Sequence, residues 1–387
     1  MKELKILNIV TRLNIGGVSI HVVQISQMFN SGRYSSIVLY GDVENNEKDM
    51  LYLANQYDFP MINLPSMGRS NNPLEDILLI WKVFKVIKKL KPDIVHTHTA
   101  KAGFIGRTAA WLAKTPIILH TFHGNNFSGY FGKLMSAFSI NAERLLASIS
   151  TRIIAISEQQ RDELIKFRIC PKEKTRIIHL GFDFSKITHS ASDVGAFKAA
   201  YSITSNHKFI AFVGRLTAIK NPHQFIKIAS AVLESRQDVV FAFVGDGEMA
   251  EELKKEVRRL GFQENIIFTG FIQDLKPLYA DLDILLLTSS NEGTPVAIIE
   301  AMANRKIVVA SRVGGIPNLI THTKSGFLFP PWDTNSFFKT IESILAVPAD
   351  YLEIAENGYQ KITRDYSTQR FKTEMENLLT QVSHFSD

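Results

Sequence analysis

Two carboxylates, Glu292 and Glu300, bracket the stretch Gly293-Thr-Pro-Val-Ala-Ile-Ile299. Just upstream, Asp283–Thr288 is almost wholly apolar and reads as a buried parallel strand. Ser289–Gly293 is polar and turn-like. Thr294 suits an N-cap, and Pro295 suits the first helical position, where its missing N–H costs nothing. Glu292 then sits on the loop at the strand's C-terminal end, and Glu300 lies about a turn and a half into the helix. Free N–H groups at the helix start between them favour an anion such as phosphate. Carboxylates flanking an anion site suit a ligand with hydroxyls on both sides of a phosphate, as in a nucleotide sugar. Two solvated surface glutamates are the plain alternative.

Two cations form a second candidate set. Phe209–Val213 reads as a strand, and Arg215 and Lys220 lie on the loop that hands it over to a helix near Pro222. Such a pair suits a diphosphate, with Arg able to grip it bidentately; ordinary surface cations are the alternative. Val239–Val244 is the next strand, with Gly245-Asp-Gly247 as its turn, and Ile266–Thr269 runs into Gly270-Phe-Ile272.

His96, His98, His120 and His123 invite a metal reading, because His-x-His on a strand puts both rings on one face. No Cys or Glu motif at standard zinc spacing accompanies them, so no metal is expected. The preferred reading makes 96–103 and 120–124 the loops after successive parallel strands, where ligands of open α/β sheets bind. His123, beside Gly124, Asn125 and Asn126, is the candidate to touch a substrate hydroxyl. Asp281-Leu-Asp283 matches the pattern of metal-dependent sugar transfer, but it opens a buried strand and so lies at the end opposite that crevice.

These residues need a scaffold of alternating strands and helices. Leu4–Val10 is a strand, followed by a loop containing Gly16-Gly17 and a helix over Val18–Phe29. Neither the dinucleotide fingerprint nor the P-loop is present. Ile37–Tyr40, Ile94–Val95, Ile153–Ile156 and Ile177–Leu180 continue the strands. Leu74–Leu90 is an amphipathic helix with Ile77, Ile80, Trp81, Phe84 and Ile87 on its apolar face and Lys82, Lys85, Lys88, Lys89 and Lys91 elsewhere. Phe127–Ala147 is mostly helical, and its Tyr130, Phe131, Leu134, Met135 and Phe138 read as core, with membrane contact as the alternative. From Asp183 to about Asn206 the chain turns polar, the best linker candidate. Ile307–Ala310 completes a second βα series, with Gly326–Phe329 as an added edge. Two or three helices follow Pro348, broken near Asp365–Ser367. A chain of 387 residues in this pattern implies an α/β protein with two doubly wound domains facing across a cleft.

The net charge of +6 is uneven, because residues 1–188 hold 24 Lys+Arg against 15 Asp+Glu. That surplus suggests an anionic partner for the first half: a phospholipid surface, a lipid diphosphate or nucleic acid. No nucleic-acid motif accompanies the charge, so nucleic acid is not expected. A single cysteine, Cys170, excludes an internal disulfide and fits a reducing compartment. No signal sequence or spanning segment is read, and a cytosolic chain is expected.

Arg215 with Lys220, Gly245-Asp-Gly247, the E-x7-E pair Glu292/Glu300 and the early glycine pair occur in an order that resembles family 4 retaining glycosyltransferases of the GT-B fold. The resemblance spans nearly the whole chain. It implies an N-terminal acceptor domain over 1–185, a nucleotide-sugar domain over 186–365, and a last helix within 366–387 returning to the first domain. It implies that Arg215 and Lys220 bind the donor diphosphate, that Glu300 accepts from ribose hydroxyls, and that Glu292 holds the donor sugar beside Gly293, Thr294, Pro295 and Val296. Gly245, Phe271 and Ile272 are implied to line the donor site, Gly16 and Gly17 to admit phosphate and acceptor, and His123 to contact the transferring sugar. No cofactor or metal is implied.

The strings TRLNIGG, HTHTAKAG and HTFHG look like bacterial enzymes that extend lipid-linked sugars for O-antigen or capsule. That likeness implies a UDP-sugar donor, often an N-acetylhexosamine or hexose, and a saccharide on polyprenyl diphosphate as acceptor. It places the protein peripherally on the cytosolic face of the inner membrane, against anionic lipid. A nucleotide-sugar 2-epimerase of the same fold and a non-catalytic nucleotide-sugar-binding protein are the competing readings.

Overall fold

The computed structural model describes residues 3–14, 16–43, 49–68, 73–124 and 133–383. Asn125, Asn126, Tyr130 and Phe131 lie outside them. The chain forms two compact units, residues 1–181 with 368–387, and residues 182–367.

Unit 1 carries a parallel sheet of seven strands: β1 (Leu4–Arg12), β2 (Tyr34–Gly41), β3 (Met61–Asn63), β4 (Ile94–His98), β5 (Ile117–Phe122), β6 (Arg152–Ala155) and β7 (Thr175–Ile177). Their order is β3-β2-β1-β4-β5-β6-β7, so the winding reverses at β1. The strands read as apolar runs because helices cover both faces. Leu7, Ile9, Val95 and Ile118 pack beneath Leu79, Val83 and Ile87 of helix Pro73–Leu90 and Ile105 and Ala109 of helix Ala100–Leu112. Ile6, Ile94 and Leu119 pack with Phe371, Met375 and Leu378 of helix Thr368–Ser383, which therefore belongs to this unit's core. Truncating a buried Phe such as Phe371 would cost about 3–5 kcal/mol.

Unit 2 carries six parallel strands: β8 (Lys208–Val213), β9 (Val239–Val244), β10 (Ile266–Gly270), β11 (Ile284–Leu287), β12 (Ile307–Ser311) and β13 (Phe327–Phe329). The order β10-β9-β8-β11-β12-β13 reverses at β8, the counterpart of β1. Both units are thus doubly wound α/β folds, whose ligand crevice lies at the C-terminal ends of the strands near the reversal.

Four expectations fail for physical reasons. Residues 183–206 are not a linker: they form short helical pieces at Phe184–Ile187, Ala191–Asp193 and Ala196–Ala200. Asp281 anchors the last of these, accepting from Gly195 N at 2.5 Å and Lys198 N at 2.8 Å, while Asn304 bonds His189 N and Ile187 O. Residues 96–103 and 120–124 are mostly not loop, because β4 runs through His98, helix Ala100–Leu112 follows one residue later, and β5 contains His120. Helix 73–90 buries Leu79, Val83 and Ile87, a stripe rotated from the expected one, and leaves Ile77 and Trp81 63% and 54% exposed. Phe138 is exposed rather than core.

Candidate active site

In unit 2 the chemistry collects at the C-terminal ends of β8, β9 and β11. The loop after β8 carries exposed Arg215 and closes with a 3₁₀ turn, Ala218–Lys220. Asn221 then takes a left-handed conformation (φ 48°) before helix Pro222–Ser235. This turn is tied to the end of β11: Thr288 Oγ1 donates to Asn221 O at 3.0 Å, and Ser290 N to Ile219 O at 2.8 Å. Those bonds bring Lys220 Nζ within 2.5 Å of Glu292 Oε1, which also accepts from Ser289 Oγ at 2.6 Å. The Glu292 side chain is only 7% exposed and that of Lys220 22%, so this is a largely desolvated ion pair.

Helix Val296–Ala303 starts one residue later than expected. Pro295 occupies the N-cap with an extended ψ of 116°, and no side chain caps the start, so Thr294 does not take that role. The ring fixes φ of Pro295 near the value it has, but helical geometry begins only after it. The first N–H groups therefore remain available to a ligand. Glu300, on this helix, accepts from the Tyr279 hydroxyl at 2.9 Å. Burial pushes its carboxyl up to about 7, against the lowering effect of the Tyr279 hydrogen bond.

Glycines let the loops touch. A Cβ on Gly245 would lie 2.0 Å from Gly214 O, and one on Gly314 only 1.8 Å from Glu292 O. Gly315 N donates to Glu292 O at 2.9 Å, so the Gly314-Gly315 turn braces the backbone that carries the carboxylate. Gly293, Thr294 and Val296 are half-buried and Pro295 is buried beside Glu292, while Phe271 and Ile272 sit half-buried after β10. Asp283 accepts from Phe209 N at 2.8 Å. Asp281 and Asp283 thus serve backbone amides at the opposite end of the sheet.

In unit 1 the histidines form one cluster at the ends of β4 and β5, with His96, His98 and His120 buried and His123 half-buried. His96 Nε2 meets Thr121 Oγ1 at 2.7 Å and His120 Nδ1 meets Thr97 Oγ1 at 2.8 Å. His98 Nδ1 lies 3.0 Å from His123 Nε2. His21, on helix Gly17–Met28, sets its ring edge-on 5.0 Å from that of His123. Desolvation lowers all five, His21 to about 4 and His96 to about 3, so they are neutral at pH 7. His21, His98 and His123 bring ring nitrogens within 4.8 Å of one another, the one group of metal-ligand type among the described residues. Gly16 is the N-cap of helix Gly17–Met28, and no side chain caps that start either.

Comparison with known proteins now decides the family. The family described as "Glycosyltransferase Family 4" matches residues 15–186, and "Glycosyl transferases group 1" matches residues 193–361. The chain belongs to the family 4 glycosyltransferases. An Escherichia coli relative, UDP-Gal:alpha-D-GlcNAc-diphosphoundecaprenol alpha-1,3-galactosyltransferase, is 29% identical over 281 residues, 72% of this chain and 73% of the relative. The capsular polysaccharide biosynthesis glycosyltransferase CapM of Staphylococcus aureus is 23% identical over 84% of this chain and 86% of its own. Among solved structures, Anabaena HepE in complex with UDP and glucose superposes with a TM-score of 0.84 at 22% identity, covering 98% of this chain and all of that one. That likeness identifies the fold of this glycosyltransferase as GT-B.

Sequence reasoning about the glycosyltransferase missed three participants. Tyr279 is separated from Glu300 by twenty residues and a strand, and nothing in its neighbourhood signals the contact. Ser289 was visible only as a turn residue. His21 carried only a weak signal, as one of several polar side chains (with Ser19, Gln24, Ser26 and Gln27) in the helix just after the glycine pair.

Proposed function

We propose that this glycosyltransferase takes a hexose or N-acetylhexosamine from a UDP-linked donor and transfers it with retention of configuration. The acceptor is a saccharide on a polyprenyl diphosphate, in the synthesis of a bacterial surface polysaccharide such as O-antigen or capsule. The observation that carries this reading is Lys220 held at 2.5 Å from Glu292 on a loop shared with Arg215, at the C-terminal edge of the second sheet. The name of the Escherichia coli relative, a galactosyltransferase acting on a diphosphoundecaprenol-linked sugar, supports the donor and acceptor classes.

The roles follow from charge. As the nucleotide leaves, the anomeric carbon becomes cationic and negative charge grows on the departing diphosphate. Arg215, Lys220 and the uncapped start of helix Val296–Ala303, with Gly293, Thr294, Pro295 and Val296, neutralise that charge without a metal ion. Glu292, fixed by Lys220 and Ser289, accepts from hydroxyls of the donor sugar. Glu300 accepts from the ribose hydroxyls, with Gly245, Phe271 and Ile272 beside the nucleotide. In unit 1, His123 contacts the transferring sugar, and the backbone at Gly16 and Gly17 serves phosphate and acceptor. The new bond forms on the face from which the diphosphate leaves, and a departing phosphate oxygen takes the acceptor's proton. The protein works at the cytosolic membrane face, against anionic lipid.

The test is incubation with a panel of nucleotide sugars, with and without a polyprenyl-diphosphate saccharide, followed by product analysis. A glycosylated lipid whose anomeric coupling matches the donor's is expected. Nucleotide release with no glycosylated product, or an inverted linkage, would overturn the proposal.

A further inference from the structure

Eight of the thirteen large apolar side chains exposed among the described residues sit on just three helices, Pro73–Leu90, Ala100–Leu112 and Lys133–Ile149. These helices pack side by side, the first on the second and the second on the third. Each also buries an inner face against the same sheet, through Leu79 and Val83, Ile105 and Ala109, and Ala147. The right-handed crossovers from β3 through β6 place all three on one face of it. Their outer sides thus form one continuous layer. Ile77 and Trp81 are more than half exposed there, as are Trp111, Phe138 and Leu145.

The charges on this layer are mostly basic: at the start of the first helix Glu75 is exposed and Asp76 is half-buried, the latter paired with Lys101 at 3.1 Å. Lys82, Lys85, Lys88 and Lys89 lie on the exposed side of the first helix, C-terminal to its apolar tip. Lys85 Nζ lies 5.6 Å from the centre of the Trp81 ring, which stacks on Phe84. Half-exposed tryptophans beside lysines suit the boundary between headgroups and acyl chains. The same mixture is a poor protein interface, since interface centres are depleted of lysine.

We propose that the outer face of these three helices is a lipid-docking surface that seats unit 1 on a bilayer of anionic phospholipid, with Ile77, Trp81, Trp111, Phe138 and Leu145 entering the interface and the lysines on the headgroups. The inference rests on the reading above that the acceptor is lipid-borne, and names the surface that would reach it.

Co-sedimentation of the full chain with vesicles tests it, with no acceptor present. Binding to phosphatidylglycerol–phosphatidylcholine vesicles is expected, and binding to phosphatidylcholine alone should be roughly tenfold or more weaker. An I77S/W81S/W111S variant and a K82E/K85E/K88E variant should each lose binding while transferring sugar to a detergent-solubilised acceptor at the wild-type rate. Retained binding in both variants, or none in the wild type, overturns the surface and leaves the proposed activity standing. No transfer to any solubilised acceptor overturns the activity and leaves the surface standing. Trp332→Phe leaves Trp81 and Trp111 as the only indoles, so acyl-brominated lipids in anionic vesicles should quench its emission. Unquenched emission, or a variant that loses self-association but keeps vesicle binding, overturns the proposal in favour of a second copy of the chain.

Discussion

Lys220 Nζ lies 2.5 Å from Glu292 Oε1, and the carboxylate is the more deeply buried partner. The pair holds Glu292 in place, and under the proposed function the same ammonium also presents a cation to the leaving group. Lys220→Ala removes both. It should lower turnover by two orders of magnitude or more, about 2.7 kcal/mol, and also destabilise the fold, because Glu292 is left buried with Ser289 alone. Breaking a fully buried pair costs about 3–5 kcal/mol; partial exposure of Lys220 brings the expectation to about 1–3 kcal/mol. Adding Glu292→Gln should recover most of the stability and none of the turnover. Thermal unfolding and initial rates on the two single variants and the double variant check this, and a Lys220→Ala protein with wild-type turnover would sink the assignment.

Glu300 titrates where enzymes are assayed. Its carboxyl is raised to about 7 by burial, and under the proposed function ribose hydroxyls donate to its ionised form. Donor affinity should fall as pH drops through 7, about tenfold between pH 8 and pH 6. Donor binding near pH 7 should release a proton, measurable by calorimetry in buffers of different ionisation enthalpy. The effect on folding has the opposite sense to that of a salt-bridged carboxylate: its stabilising contribution is complete below the unfolded value and is lost as pH rises through 7. Glu300→Gln should remove both the proton release and the acid limb of the affinity profile.

The strands were legible because parallel strands covered on both faces are short apolar runs; Val239–Val244 needed no adjustment at all. That Arg215 with Lys220 and Glu292 each lie on loops after strands was legible in the sequence, because strand ends are marked by the apolar runs before them; the direct Lys220–Glu292 pair was not. What could not be read depends on bonds between distant residues. Residues 183–206 look like a linker until Asp281 and Asn304 hold them. Helix 73–90 has apolar residues on more than one side, so periodicity alone could not decide whether Ile77 and Trp81 or Leu79 and Val83 face the sheet. The contact between Tyr279 and Glu300 has no local signature.

Gly314 leaves no room for a side chain: its Cβ would lie 1.8 Å from Glu292 O, at a φ of 52°. Gly314→Ala should shift the Glu292–Gly293 backbone. The expected result is a destabilisation of about 1–3 kcal/mol with a raised KM for the donor. Unchanged melting and unchanged KM would show that this turn does not brace the carboxylate.

Asp281 and Asp283 serve backbone amides, Gly195 and Lys198 for the first and Phe209 for the second. Asp281→Asn should loosen helix Ala196–Ala200 and lower stability by about 1 kcal/mol while leaving turnover intact. Transfer should also proceed fully in chelator, because under the proposed function the charge on the leaving group is met by Arg215, Lys220 and a helix start. Loss of turnover in chelator, restored by Mg²⁺ or Mn²⁺ in wild type but not in the variant, would return these aspartates to the chemistry. Loss restored by Zn²⁺ would point instead to the group formed by His21, His98 and His123.

The histidine cluster separates contact from support. His123 Nε2 is engaged by His98 Nδ1 at 3.0 Å, so under the proposed function a substrate hydroxyl would meet the Nδ1 of His123. His123→Ala should therefore lower turnover a hundredfold or more, about 2.7 kcal/mol. His98→Ala should cost closer to tenfold, since the ring it orients is still present. Desolvation lowers both imidazoles well below the usual histidine value, so neither is expected to contribute a limb to the pH profile around neutrality. The acid limb belongs to Glu300. In a Glu300→Gln background the rate at limiting donor should be flat there. A residual limb near pH 6.5 that disappears with His123→Ala would mean that the ring is solvated and titrating, and would remove the neutral-histidine role assigned to it.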